Sequence, residues 1–271
     1  MYAIDFEYDG EYLSDYGFII CNFSPSDNAD VIESGSQIVF NTVPMNRGKN
    51  FNLISTKYDE CIQTTFHICK NPEIYDDLKI SESEFRDINR WLNRNEFLKF
   101  HLLDEESEVE PYYYASFNIK KINISEVLYG MELSLTTNSP FGFGDTQVKE
   151  IVIQAANGIK SYIDMSDVIG YTYPKIDIIP GANGDIVIQN YFDNKVISTT
   201  AIKNCTANEV ITIDNDNKLI TTDKSGHDVF ADFNYGFFRI CNTFNNRLNK
   251  IKSNLPCTIK ITYMPMIKNS L

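Results

Sequence analysis

SESEFRDINRWLNRNEFLKFHLLD, residues 81–104, contains the chain's only tryptophan, Trp91, and the one extended stretch patterned as a helix. Ser81 followed three residues later by Glu84 is a capping box, and Glu82, Glu84 and Asp87 put negative charge near the positive end of the helix dipole. Phe85, Ile88, Trp91 and Leu92 then fall on one apolar stripe, and Arg86, Arg90 and Arg94 on a separate row four residues apart. These spacings predict an amphipathic helix over 81–95. Its stripe needs a surface to cover, and its arginine row reads as a solvated face.

The segments on either side are strand-like, so that surface is expected to be a sheet. CIQTTFHICK precedes the helix; FLKFHLLD, YYYASFNIKKINI and GMELSLTT follow it. In the last of these Met131, Leu133 and Leu135 alternate with Glu132, Ser134 and Thr136. Phe85, Ile88, Trp91 and Leu92 are therefore expected to brace helix to sheet. Nearer the start, Asp9-Gly10 marks a turn, YGFIICNF a strand, and SPSDNAD a polar loop. QIVFNTVPMNRGKNFNLISTKYDE reads as a long hairpin, with an arm over 41–59 and a charged tip.

NSPFGFGD, with one Pro and two Gly, ends the helical half and suggests a linker and a domain boundary after residue 140. From 141 to 271 the pattern is purely β. PKIDIIPGANGDIVIQN reads as a hairpin over Gly181 to Gly184, EVITIDNDNKLITT as another over Asp214 to Asn217, and CTIKITYMP points Ile259, Ile261 and Tyr263 inward. Short strands at this spacing indicate a sandwich. The chain of 271 residues, rich in Phe (18) and Tyr (16), is thus read as mostly β in two domains.

Composition excludes several classes of function. The net charge of −13 lies entirely in residues 1–140, where 24 acidic residues face 11 basic ones; residues 141–271 carry 13 of each. So acidic a surface disfavours nucleic-acid binding, which draws its affinity from Lys and Arg on phosphates. No apolar run is long enough to span a membrane, and MYAIDFEYDGEY lacks the features of a secretory signal. The six cysteines are scattered without a CxxC pair and read as free, buried thiols of a chain made in a reducing cytoplasm. His67, His101 and His227 occupy no metal-ligating spacing, DNDN at 214–217 lacks the Gly and Glu of a calcium loop, and the acidic run 104–110 reads as solvated. No catalytic residue, metal or cofactor is expected.

Taken in order, FEYDG, SDYGFII, the hairpin, INRWLN, FLKFHLLD, YYYASF and TTNSPFGFGD resemble the distal tail protein (Dit) family of siphophages. TIDNDNKLITTDKSGHDVFADFNYGFFRI with FNNRLNKIKSNLPCTIKITYMP is similar to that family's galectin-like C-terminal sandwich. The resemblance implies an N-terminal β-sandwich with one helix and a projecting hairpin, and six copies closed into a ring at the virion's tail tip after assembly in the bacterial host cytoplasm. It implies as partners the tail tube protein, the tape measure protein, and the tail-associated lysin or fibre and receptor-binding proteins. It also implies passage of DNA through the lumen, and no catalysis.

Met45, Asn46, Arg47, Gly48, Lys49, Asn50 and Phe51, at the end of the arm, are the expected inter-subunit contacts, since a ring needs a surface that reaches the next copy. An acidic lumen would repel passing phosphates. The alternative is a carbohydrate-binding module that adheres to host-surface glycan. Residues 141–271 hold no tryptophan for stacking on sugar, which leaves Tyr171, Tyr173, Tyr191 and Tyr235 to substitute.

Overall fold

The computed structural model describes residues 4–23, 38–45, 50–58, 61–103 and 111–268. The chain forms two compact units, Met1–Gly144 with Ile267–Leu271, and Asp145–Met266. The first division falls after Gly144 rather than after residue 140 because the FGFGD stretch is not a bare linker: Phe143 pairs with Tyr112 as a short strand.

In the first unit the strands are β1 (Asp5–Tyr8), β2 (Glu11–Tyr12), β3 (Phe18–Cys21), β4 (Ile38–Met45), β5 (Asn50–Tyr58), β6 (Gln63–Lys70), β7 (Leu98–Leu103), β8 (Tyr112–Ile124), β9 (Val127–Thr137) and β10 (Gly142–Phe143), with helix α1 (Glu82–Leu92) before β7. Seven of them make the main run of one nine-stranded sheet, in the order β2-β1-β7-β8-β9-β6-β3 with every pair antiparallel, and β10 joins it off this run against β8. The turn between β1 and β2 uses Asp9 and Gly10, both at positive φ (55° and 82°), as a two-residue hairpin requires. The sheet folds over on itself: Ile20 N–H donates to the Ile4 carbonyl at 3.0 Å, joining β3 to the entry of β1. Phe6 from β1 therefore meets Phe66 from β6 at 5.7 Å and Phe117 from β8 at 5.8 Å between centroids. Alternation fixes which side is buried. Met131, Leu133 and Leu135 are inside, and Glu132, Ser134 and Thr136 are not.

Helix α1 is shorter than 81–95 and ends at Leu92, with Asn93 as its C-cap. Its capping box is formed: Ser81 N–H donates to Glu84 Oε2 at 2.7 Å, and Glu84 N–H to Ser81 Oγ at 3.3 Å. Ile88, Trp91 and Leu92 are buried, Phe85 is half-buried, and Arg86, Arg90 and Arg94 are exposed.

The second unit comprises β11 (Gln147–Ile153), β12 (Ile159–Ile163), β13 (Gly170–Thr172), β14 (Lys175–Pro180), β15 (Gly184–Phe192), β16 (Lys195–Cys205), β17 (Ile211–Asp214), β18 (Leu219–Thr222), the single turn α2 (Val229–Asp232), β19 (Ile240–Asn242), β20 (Leu248–Ser253) and β21 (Cys257–Tyr263). A five-stranded sheet, β11-β21-β14-β17-β18, faces a four-stranded one, β12-β20-β15-β16. The core between them is dominated by isoleucine, including Ile176, Ile178, Ile259 and Ile261 from one sheet and Ile186, Ile188, Ile202 and Ile251 from the other. A β-branched side chain every second residue suits a pleated surface buried on one face. Asn249 adds a polar clasp: its Oδ1 accepts from Asn190 Nδ2 (2.9 Å) and Cys241 N (3.0 Å), and its Nδ2 donates to Cys241 O (2.9 Å).

Two sequence-based hairpins fare differently here. β17 and β18 pair as expected, Asp214 opposite Leu219. PKIDIIPGANGDIVIQN is not a hairpin. β14 pairs with β17 and β21, β15 with β16 and β20, so residues 181–183 carry the chain from one sheet to the other. Gly181 N–H is satisfied by the Pro256 carbonyl (2.8 Å), and Gly184 has φ +136°, open only to glycine. The cysteines also divide: Cys205, Cys241 and Cys257 are buried, but Cys21, Cys61 and Cys69 are only half-buried.

Candidate assembly interface

The hairpin β4-β5 forms a two-stranded sheet of its own. Its strands pair from Ile38 opposite Tyr58 to Met45 opposite Asn50, with a bulge that leaves Ile54 without a partner. Of the expected contact residues, Met45, Asn50 and Phe51 form the outer rungs, and Asn46, Arg47, Gly48 and Lys49 lie outside the described residues. At 3.4 Å per residue the paired strands extend roughly 25 Å. The base is held where the Tyr58 ring meets Phe141 edge-on at 4.6 Å.

Along 38–43 and 52–57 the side chains of both faces are exposed or nearly so. They include large apolar ones: Phe40 is 60% exposed, Leu53 56% and Ile54 66%. An isolated two-stranded ribbon with neither face covered is marginal in water, and its free edges are ready to pair. Several large apolar side chains left exposed on one ribbon make it a candidate binding surface.

The helix-to-sheet residues are brought together. Trp91 stacks on Tyr16 (4.5 Å, 13° between planes) and on Phe6 (5.7 Å, 9°), and its Nε1–H donates to the Tyr8 carbonyl at 3.0 Å. Ile88 and Leu92 join the same core, with Phe85 at its margin beneath the Lys121 ammonium, 4.1 Å from the ring centre. Lys70, buried on β6, pairs with Glu84 at 2.8 Å. Burial raises the Glu84 carboxyl, but the hydrogen bonds from Lys70 and Ser81 outweigh it and hold the group below the usual carboxylate range. Beside Trp91 an open cavity of about 480 Å³ is lined by Glu11, Tyr16, Asp87, Arg90 and Arg94. Tyr16 donates its hydroxyl to Glu11, and its pKa is pushed up to about 12 by burial and by that carboxylate. Two guanidinium groups and two carboxylates offset one another, leaving no excess charge to recruit an ion.

In the second unit the four tyrosines considered for sugar stacking are dispersed in their roles. Tyr171 already carries the Arg239 guanidinium 4.0 Å from its ring centre, Tyr191 donates to Gln189, and Tyr235 leans on Phe233. Tyr173 is exposed.

The sequence patterns missed a buried charge cluster around His227. Its Nδ1 lies 2.5 Å from Glu209 Oε1, and its Nε2 3.1 Å from the Lys203 carbonyl and 3.4 Å from Asp232 Oδ2. Glu209 also accepts from Thr222 Oγ1 (2.5 Å) and Thr206 N (2.9 Å). Burial lowers the His227 pKa, but Glu209 and Asp232 more than restore it and the net shift is upward; Glu209 is driven downward by the same hydrogen bonds against its own burial. With acceptors facing both ring nitrogens, the site favours the imidazolium form, which ties residues 203–232 together. No local signal announces it, because Glu209 and His227 are 18 residues apart in sequence. Among the described residues no group of three or more His, Cys, Asp or Glu side chains is arranged to hold a metal ion.

Residues 1–139 match a family model described as a phage tail protein N-terminal domain, and residues 141–263 one described as a phage tail C-terminal domain. A search of curated proteins gave no match. Among solved structures the chain is similar to the Dit protein of phage SPP1, described as a paradigm of the hub adsorption apparatus in phages infecting Gram-positive bacteria. Identity is 14%, the alignment covers 96% of this chain and 98% of that one, and the TM-score is 0.68. Weaker likenesses, both at TM-score 0.44 and 11% identity, are to phage P2 baseplate structures in the activated conformation with calcium (97% of this chain, 98% of that one) and with strontium (96% and 97%). Two family domains in tandem, covering nearly the whole chain, make it a member of the phage tail protein family, with the two-unit β fold of a distal tail protein.

Proposed function

We propose that this chain is the distal tail subunit of a phage, six copies of which close into a hub ring at the tail tip. The carrying observation is the β4-β5 hairpin, whose described side chains are exposed on both faces, apolar ones among them. A ribbon of that kind becomes stable when a neighbouring copy covers it, and six equivalent contacts of arm to neighbour give a closed, head-to-tail ring. The first unit forms the ring, braced by Phe85, Ile88, Trp91 and Leu92, and the second is the galectin-like domain. The ring joins the tail tube and tape measure proteins to the tail-associated lysin and the fibre or receptor-binding proteins, and DNA leaves through its lumen without being bound. The excess of carboxylates in the N-terminal half supports a wall that phosphate does not adhere to. The subunit is structural, and it is assembled in the host cytoplasm.

The test is light scattering on size-exclusion peaks, with negative-stain images, of the full chain and of a variant lacking residues 45–51. Hexameric rings from the full chain and folded monomers from the variant are expected. Rings that persist after the deletion would remove the arm from the interface.

A further inference from the structure

We infer that Cys21 and Cys69 form a reversible disulfide that fastens the edge strand β3 to β6 and ties together the two ends of the segment bearing the hairpin arm. Three observations meet here. In the register of β3 and β6, Ile19 lies opposite Cys69 and Cys21 opposite His67, so the two cysteines are diagonal neighbours on one face of the sheet. Diagonal pairs on average lie beyond disulfide reach, but the right-handed twist shortens one diagonal. Each thiol perturbs the titration of the other, as neighbours across the short diagonal do. Both residues are half-buried, unlike the fully buried Cys205, Cys241 and Cys257.

The placement gives the bond a consequence. β3 is the last strand of its sheet and is held by four rungs, Phe18 opposite Lys70 to Cys21 opposite His67, whereas β6 is paired on both sides. The chain leaves the sheet at Cys21, makes β4 and β5, and returns through β6. A Cys21–Cys69 bond closes a loop that contains the whole arm. The chemistry is also suited to exchange: the hydrogen bond from Cys21 holds the Cys69 thiol below its ordinary pKa, while that bond and burial push Cys21 up. Low-pKa, accessible thiols beside a resolving cysteine are the ones that exchange readily.

A small disulfide such as oxidised glutathione is the oxidant. The Cys69 thiolate attacks one of its sulfurs and releases a glutathione thiolate. The Cys21 sulfur, losing its proton, then displaces the second glutathione from the mixed disulfide. Two electrons pass from the cysteine pair to the oxidant, and two reduced glutathione molecules leave.

The full chain would be equilibrated with oxidised or reduced glutathione, then mapped as non-reduced peptides by mass spectrometry and melted in parallel. The expected results are one linked pair, the Cys21 peptide with the Cys69 peptide, at a mass lower by two hydrogens, and a melting temperature about 10 °C higher for the oxidised form, as closing a loop of roughly 50 residues implies. C21S and C69S should each abolish the link and the shift, and C61S should keep both. A link through Cys61, glutathione retained on Cys69 without ring closure, or a linked protein that melts no higher than the reduced one would each overturn the inference; the mapping of the unmutated chain decides the case even where a variant fails to fold.

Discussion

Replacing Trp91 with alanine is the most direct probe of how the first unit holds its shape. The side chain is 4% exposed, sandwiched between Tyr16 and Phe6, and bonded through its Nε1–H to the Tyr8 carbonyl. Truncating a buried aromatic costs about 3–5 kcal/mol, a large part of the 5–15 kcal/mol by which domains are stable. At about 3 °C per kcal/mol for a unit of this size, the melting temperature should fall by about 10–15 °C. Trp91→Phe keeps the stacking and loses only the hydrogen bond, so about 1 kcal/mol and 3 °C are expected. Thermal melts by far-UV circular dichroism suit all three proteins. In the unmutated chain, fluorescence of the sole tryptophan should report the same transition. A Trp91→Ala protein melting within 2 °C of the parent, or a Phe variant no better than the Ala one, would refute the reasoning and leave the tryptophan free to act as an interface anchor.

The second unit should respond to pH through its buried pair. The raised His227 gives stability that is complete below its unfolded pKa of about 6.5 and is lost as pH rises through the higher folded value, whereas Glu209, depressed, gives stability above about 4.3 that is lost as pH falls through its lower folded value. Stability should therefore peak at mildly acidic pH and decline on the alkaline side, and His227→Gln should flatten that decline in melts taken from pH 4 to 9. Gly236→Ala places a methyl carbon 2.0 Å from the Thr199 carbonyl oxygen, which is backbone and cannot turn aside. A loss of about 2 kcal/mol or more is expected by urea denaturation, against about 1 kcal/mol for Gly226→Ala, where space is open but φ is +87°.

The legible parts of this fold were those in which a short stretch determines its own structure. The capping box at Ser81, the alternation of Met131, Leu133 and Leu135, and the DNDN turn all state in a few residues what the backbone does, because caps, pleats and tight turns are local. PKIDIIPGANGDIVIQN misled for the same reason. Two alternating strands around a glycine-rich turn look alike whether they pair with each other or pass to facing sheets, and the partners that decide between these, β20 and β21, lie some 70 residues onward. Helix α1 stops before residue 95 because Asn93 turns its side chain to the Phe117 carbonyl, a tertiary contact. The arm was visible as two strand-like runs around Arg47 to Asn50, but the exposure of both its faces was not, since apolar residues such as Phe40 and Ile54 read locally as core. The proximity of Cys21 to Cys69 and of Glu209 to His227 belongs to the register of the fold alone.

The position of β21 has a consequence for synthesis. It is made after every other strand of its sheet, yet it sits in the interior, between β11 and β14. β20 stands likewise between β12 and β15. Until both have emerged, the strands made earlier lack their central partners, and the isoleucine core has nothing to close on. Folding of this unit must then be a late, long-range event, slow by the measure of contact order and unavailable to any chain stopped short. A domain that completes itself only with its own last-made strands leaves a truncated chain without a folded second unit.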